Sequence, residues 1–232
     1  MQYITINNKE YPEKLKNIYN PPKRLYAIGN LDLLNLPSVA IIGSRNCSRY
    51  GEMVAKKFGQ DIAKKGIAVV SGMARGIDTF AHIGCLLGNG KTIAVLGSGL
   101  NNIYPKENEK LFHRIIEKGG VIISEYQPQE KPISEHFPAR NRIISGLCDK
   151  LIVVEAAKRS GTFITVDFAL EQGKEIYAVP GNITSYKSER NQWINQRWSY
   201  TNYEYKWYIL ILIYTYESIY FFAKRLPIFI KM

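Results

Sequence analysis

Three short stretches, far apart in the chain, carry residue types suited to holding phosphate: Gly43-Ser44-Arg45 with Ser48, Ser71-Gly72 with Arg75, and Gly161-Thr162. Glycine lets a backbone come close to a ligand, hydroxyl and amide groups donate to phosphate oxygens, and arginine adds a charged two-pronged donor. A fourth stretch, Phe137-Pro138-Ala139-Arg140-Asn141-Arg142, sets an aromatic ring beside two more guanidinium groups. Anion binding is the chemistry these residues share. Taken singly, each turn is also an ordinary strand-to-helix connection, and each arginine also a solvated or salt-bridged surface residue. Phe137 is equally a ring buried under its own loop. Asp78, Glu125, Glu155 and Asp167 are available as acids, with helix capping or pairing to arginine as the plainer role.

The elements that must position these residues follow from the apolar pattern. Val39-Ala40-Ile41-Ile42, β-branched at three positions, reads as a strand buried on both faces. Ser48 is placed to cap the helical run that follows, with Val54, Phe58, Ile62 and Ala63 on one face. Strands are expected at 39–43, 67–71, 92–97, 120–124, 150–154 and 175–179. Helices are expected near 50–65, 77–88, 107–118, 138–147 and 162–172. Such alternation predicts an α/β fold with a doubly wound, mostly parallel sheet, whose strands all end at one edge. Residues 1–36 form a lead-in packing on the core, with short strands at 3–6 and 24–28, and residues 37–184 form the main domain. Arg45, Arg49, Arg75, Arg140, Arg142, Lys158 and Arg159 are then all expected on or near the binding edge, with Phe137 as an exposed ring. Several phosphate cradles, surplus cation and a stacking ring describe single-stranded nucleic acid better than a mononucleotide.

The charge balance agrees. The chain of 232 residues carries +11 at neutral pH, which favours a polyanionic partner. Other chemistries lack their residues. Gly84 through Thr92 resembles a phosphate-binding loop, but its first glycine stands one residue too far from Gly90-Lys91 and it leads into a strand. Gly97-Ser98-Gly99 opens like a dinucleotide fingerprint but has Asn102 in place of the third glycine. The histidines, His82, His113 and His136, are scattered, with no nucleophile paired to them. Cys47, Cys85 and Cys148 lack metal-ligand spacing and read as reduced thiols. No cofactor and no metal are expected. The start of the chain lacks the build of a secretion signal, and a cytoplasmic location is expected.

With these stretches in view, the sequence resembles the DNA-processing protein A (DprA/Smf) family. The resemblance rests on Tyr11-Pro12-x-x-Leu15, the Gly43–Gly51 turn, Ser71-Gly72-x-Ala74-Arg75-Gly76-Ile77-Asp78, Tyr104-Pro105, and Ser124-Glu125-Tyr126. Further matches are Phe137-Pro138-x-Arg140-Asn141-Arg142, Val154-Glu155-Ala156, Ser160-Gly161-Thr162 and Val179-Pro180-Gly181-Asn182-Ile183. It implies an extended Rossmann-like domain with no catalytic activity. Such a domain binds single-stranded DNA, protects it and hands it to the RecA recombinase during natural transformation, commonly as a homodimer. By motif position, Arg45 with Gly43, Ser44 and Ser48 would hold a backbone phosphate. Ser71, Gly72, Arg75, Gly161 and Thr162 would add to the cradle, while Phe137, Arg140, Asn141 and Arg142 would meet bases and backbone. Ser134, Glu135 and His136 stand where some relatives carry a lysine. The alternative from a different class is a nucleotide phosphoribohydrolase of the lysine-decarboxylase-like group. That group's doubled glycine and following glutamate are missing around Ser160-Gly161-Thr162.

Beyond Ser185 the family pattern stops. Residues 185–232 are rich in Tyr, Ile, Trp and Phe and carry 7 basic and 3 acidic residues, so +4 of the +11 lies there and +7 on the family-like part. The stretch 207–223 is too short and too interrupted by polar residues for a membrane span. We read this end as a translated frameshift, against the plainer reading of a divergent tail. A product whose scrambled end abolishes its function is the third outcome the sequence allows.

Overall fold

A computed structural model describes residues 1–157, 160–182 and 184–199, the last four as backbone only. Residues 1–195 make one compact unit. Its centre is β3 (Ser38–Ile42), whose five residues are all buried. On either side of β3 lie β4 (Ala68–Ser71) and β7 (Lys150–Val153), both parallel to it. The sheet continues through β5 (Thr92–Leu96) and β6 (Val121–Ser124) on one side and β8 (Glu175–Ala178) on the other, again in parallel.

The lead-in does more than pack on this core. Its strands β1 (Gln2–Thr5) and β2 (Arg24–Gly29) join the same sheet antiparallel, β2 pairing with β6, which gives the order β1-β2-β6-β5-β4-β3-β7-β8. The short helix α1 (Glu13–Lys16) between them sends Leu15 into the core, where its side chain lies against Gly146.

Period-two alternation sorts the strand side chains to two faces. Ala94, Leu96 and Ile122 meet α3 (Ile77–Leu87) and α4 (Glu109–Glu117). Ile93, Val95, Val121 and Ile123 belong to the core of the other face, where α5 (His136–Leu147) covers β5 and α6 (Thr162–Glu171) covers β7 and β8. Helix α2 (Arg49–Lys64) packs beside α3 with almost no side chain between them. A Cβ on Gly84 would fall 2.2 Å from the Lys56 carbonyl oxygen, and one on Gly59 2.5 Å from that of Ala81. Neither backbone has room to retreat, so Gly84→Ala is expected to destabilise the protein by about 1–3 kcal/mol. Urea unfolding checks this, and an unchanged midpoint would show that the helices separate freely.

The compact unit runs past Ser185, beyond the last family-like motif at Val179–Ile183. After a 3-10 turn at Tyr186–Ser188, α7 (Glu189–Ser199) begins. Its Asn191 amide is fully buried and reaches the carbonyls of Val153, Val154 and Val179 at 3.0, 2.9 and 3.0 Å. Ile194 enters the core beside it. The compact unit thus takes in residues 185–195 of the stretch read above as the tail. Most of the frameshift reading, and the 207–223 stretch, lie outside the described residues. No described helix is long and apolar enough to cross a membrane.

Candidate functional site

Chain order reverses at β3, since β4 follows on one side and β7 returns on the other. A crevice beyond the strand ends is expected at such a reversal. A cleft of about 630 Å3 opens there, bounded by the turn after β3, the turn before α6 and one face of α5. Gly43, Ser44 and Arg45 line it from the first side, Gly161 and Thr162 from the second. Phe137, Arg140, Asn141 and Ile144 line it from α5, and their spacing of three, four and seven residues is that of a single helical face. A small recess of about 30 Å3 adjoins it, with Gly72 and Arg75 on its wall.

Close contacts shape the floor. A Cβ on Gly72 would lie 2.6 Å from the Arg140 guanidinium, and one on Gly97 2.9 Å from the Phe137 ring. These glycines are seats for protein side chains before they are cradles for a ligand. Arg140 is buried and donates to the carbonyls of Gly72 and Val95, while its Nε meets no acceptor among the described residues. Burial pushes this guanidinium down to about 10, with Asp78 pulling it up and Arg45 pushing it further down. It stays charged at neutral pH. Asp78, also buried, accepts from the N–H groups of Gly72 and Ala74 at 3.1 and 3.4 Å. Burial raises its carboxyl above the usual range, against the pull of Arg140 and those two N–H groups.

Above this floor the cleft is open and cationic. Arg45 is exposed, has no carboxylate partner among the described residues, and lies 5.4 Å from the Phe137 ring centre. Tyr104 also stands beside Phe137, ring centres 5.4 Å apart. Guanidinium and rings together form a stacking surface beside the phosphate turn. At Gly161 an added Cβ would meet nothing, so the first turn of α6 faces open space. Backbone N–H groups at such a helix start favour an anion.

Several residues expected on this rim serve elsewhere. Arg142 is buried and clamps Glu125 with two hydrogen bonds of 2.7 Å, while its Nε donates to the Asn20 carbonyl at 2.9 Å. It stands two residues from Arg140, about 200° around the helix, so the two cannot share a face. Ser71 is buried and its hydroxyl donates to the Ile41 carbonyl at 2.7 Å. Ser48 caps α2, accepting from Gly51 at 3.0 Å, and its own N–H and hydroxyl donate to Glu155. That carboxylate is buried against the start of α2, so the anion favoured there is already supplied by the protein. Arg75 reaches the recess but is ion-paired to Glu107. Arg49 does not line the cleft, and Lys158 and Arg159 lie outside the described residues. Tyr104 and Thr165 line the cleft without having been singled out as contacts. For Tyr104 the signal was present, a Tyr-Pro pair following a strand at the binding edge.

Comparison with known proteins places this architecture. The sequence profile of the DNA recombination-mediator protein A family matches residues 2–203. The chain belongs to that family. A DNA processing protein DprA from Streptococcus pneumoniae is 49% identical over 173 residues, 75% of this chain and 61% of that one. The X-ray structure of DprA from Streptococcus pneumoniae superposes with a TM-score of 0.80 at 44% identity, covering 84% of this chain and 69% of that chain. DNA processing protein A from Helicobacter pylori, described for its single-stranded DNA binding mode, gives a TM-score of 0.75 at 31% identity, covering 84% and 89%. The chain spans about three fifths of the length of the first curated family members it matches.

Proposed function

We propose that the cleft binds single-stranded DNA, and that the protein serves DNA processing by protecting that strand and delivering it to the RecA recombinase. The observation that carries the reading is the convergence of Arg45, the Gly43-Ser44 turn and the open start of α6 around the Phe137–Tyr104 rings. Cations tracking a backbone beside rings that accept any base are what a single strand requires. The Helicobacter pylori relative, described for its single-stranded DNA binding mode, supports the same ligand. The remaining steps extend the reading by family likeness: action as a homodimer, in the cytoplasm, during natural transformation. No catalytic step is assigned. Asp78 is the one carboxylate among the lining residues, and it is committed to two backbone N–H groups.

The test is oligonucleotide binding by the full chain over a series of salt concentrations. Single strands are expected to bind more tightly than duplexes, with affinity falling steeply as salt rises. Arg45→Ala is expected to cost about 1–3 kcal/mol, or about 5- to 150-fold in affinity, with an unchanged melting temperature. Unchanged affinity in this variant would remove the cleft from the DNA path.

A further inference from the structure

Three guanidinium groups surround the recess, and they are held in three different ways. Arg140 is anchored to two backbone carbonyls, Arg45 lies on the Phe137 ring, and Arg75 is paired with Glu107. Both partners of the last pair are about 60% exposed, so water screens them and the pair adds little to folding. Nor is it needed to join the two loops that carry it. Next to Glu107, Asn108 is buried and donates to the Met73 carbonyl at 2.7 Å and to Thr79 Oγ1 at 2.8 Å, which ties the turn after Pro105 to the loop of Arg75. An ion pair that holds nothing else in place, at the lip of an anion site, calls for another role.

We infer that Glu107 is a built-in competitor for Arg75, holding its guanidinium in the free protein and yielding it to a phosphate of the bound strand. This rests on the single-strand reading of the cleft. A carboxylate and a phosphodiester each carry one negative charge and present oxygens to the same guanidinium fork. A free phosphate would have to displace a tethered carboxylate from bulk solution. A strand already seated at Arg45 brings its next phosphate tethered as well, so the exchange becomes nearly even. The released Glu107 side chain returns to water.

The test uses the full chain, a fluorescent oligothymidylate, and five variants. Glu107→Gln is expected to tighten binding about threefold by freeing Arg75. Glu109→Gln removes the same charge from the exposed first turn of α4 without touching Arg75, and is expected to change binding far less. Arg75→Ala weakens binding, and adding Glu107→Gln to it has no further effect. Equal gains in the two glutamine variants, weaker binding in Glu107→Gln, or a gain that survives in the Arg75→Ala background would each overturn the competitor role. Arg45→Ala separates the two readings. If it weakens binding while Glu107→Gln does not tighten it, the competitor alone fails; if Arg45→Ala has no effect, the cleft reading itself fails.

Discussion

Arg142→Ala is expected to lower the unfolding free energy by about 3 kcal/mol. The side chain is 7% exposed, its carboxylate partner Glu125 25%, and the guanidinium is spent on that carboxylate and on the carbonyls of Asn20 and Ala139. Removing one member of a buried pair leaves the other without its counter-charge, and Glu125, a quarter exposed, recovers part of its hydration. That puts the cost at the lower end of the range for such breaks. Three parts of the chain lose their tie at once: the lead-in at Asn20, the loop at Glu125 and helix α5. Denaturant unfolding gives the number. Arg45→Ala is the contrast, costing affinity and no stability. A loss below about 1 kcal/mol for Arg142→Ala, together with an affinity drop like that of Arg45→Ala, would place Arg142 on the DNA instead.

Acid should weaken the protein through His82 by a comparable amount. This imidazole is fully buried, with Nδ1 at 2.7 Å from Thr92 Oγ1. The Thr92 hydroxyl gives its one proton to the Val69 carbonyl at 2.7 Å, so Nδ1 must be the donor and Nε2 is left as a bare, buried acceptor. Protonating Nε2 would bury a charge beside the same-signed Arg140. Burial first, and that repulsion second, bring the group down to about 3 from 6.5. Below 6.5 the unfolded chain takes up a proton that the folded protein refuses, so stability is complete above that pH and falls as acid is added, levelling near 3. The slope is about 1.4 kcal/mol per pH unit, which gives about 3 kcal/mol between pH 6.5 and 4. Asp78 works in the opposite sense, since its raised carboxyl binds a proton in the folded state first. Comparing the wild type with His82→Asn, which keeps a donor toward Thr92, cancels Asp78 and isolates the imidazole. Parallel stability curves for the two proteins would refute the assignment.

Helix spacing explains why parts of the site were legible and parts were not. The stretch 138–147 reads as helix from sequence, and on a helix Arg140 and Arg142 cannot face one way. Their shared motif nonetheless invites treating them together. Geometry gives Arg140 to the cleft floor and Arg142 to the opposite side. The hydroxyls mislead for a different reason. A serine at a strand end offers the same donor to a ligand or to a neighbouring carbonyl, and for Ser71 the neighbour is Ile41, on a strand about 30 residues earlier.

What the chain's own order determined is the α/β alternation, the strands and helices within a residue or two, and the meeting of the strand ends with their glycine turns at one edge. Local pattern suffices there, because burial on two faces and helical periodicity are properties of neighbouring residues. Only the tertiary structure decided which polar groups are already satisfied: Glu155 on Ser48, Glu125 on Arg142, Glu107 on Arg75. Each of those partners stands at least 17 residues away in sequence. A charge is available to a ligand only when no other part of the fold has reached it first, and that depends on how distant segments meet.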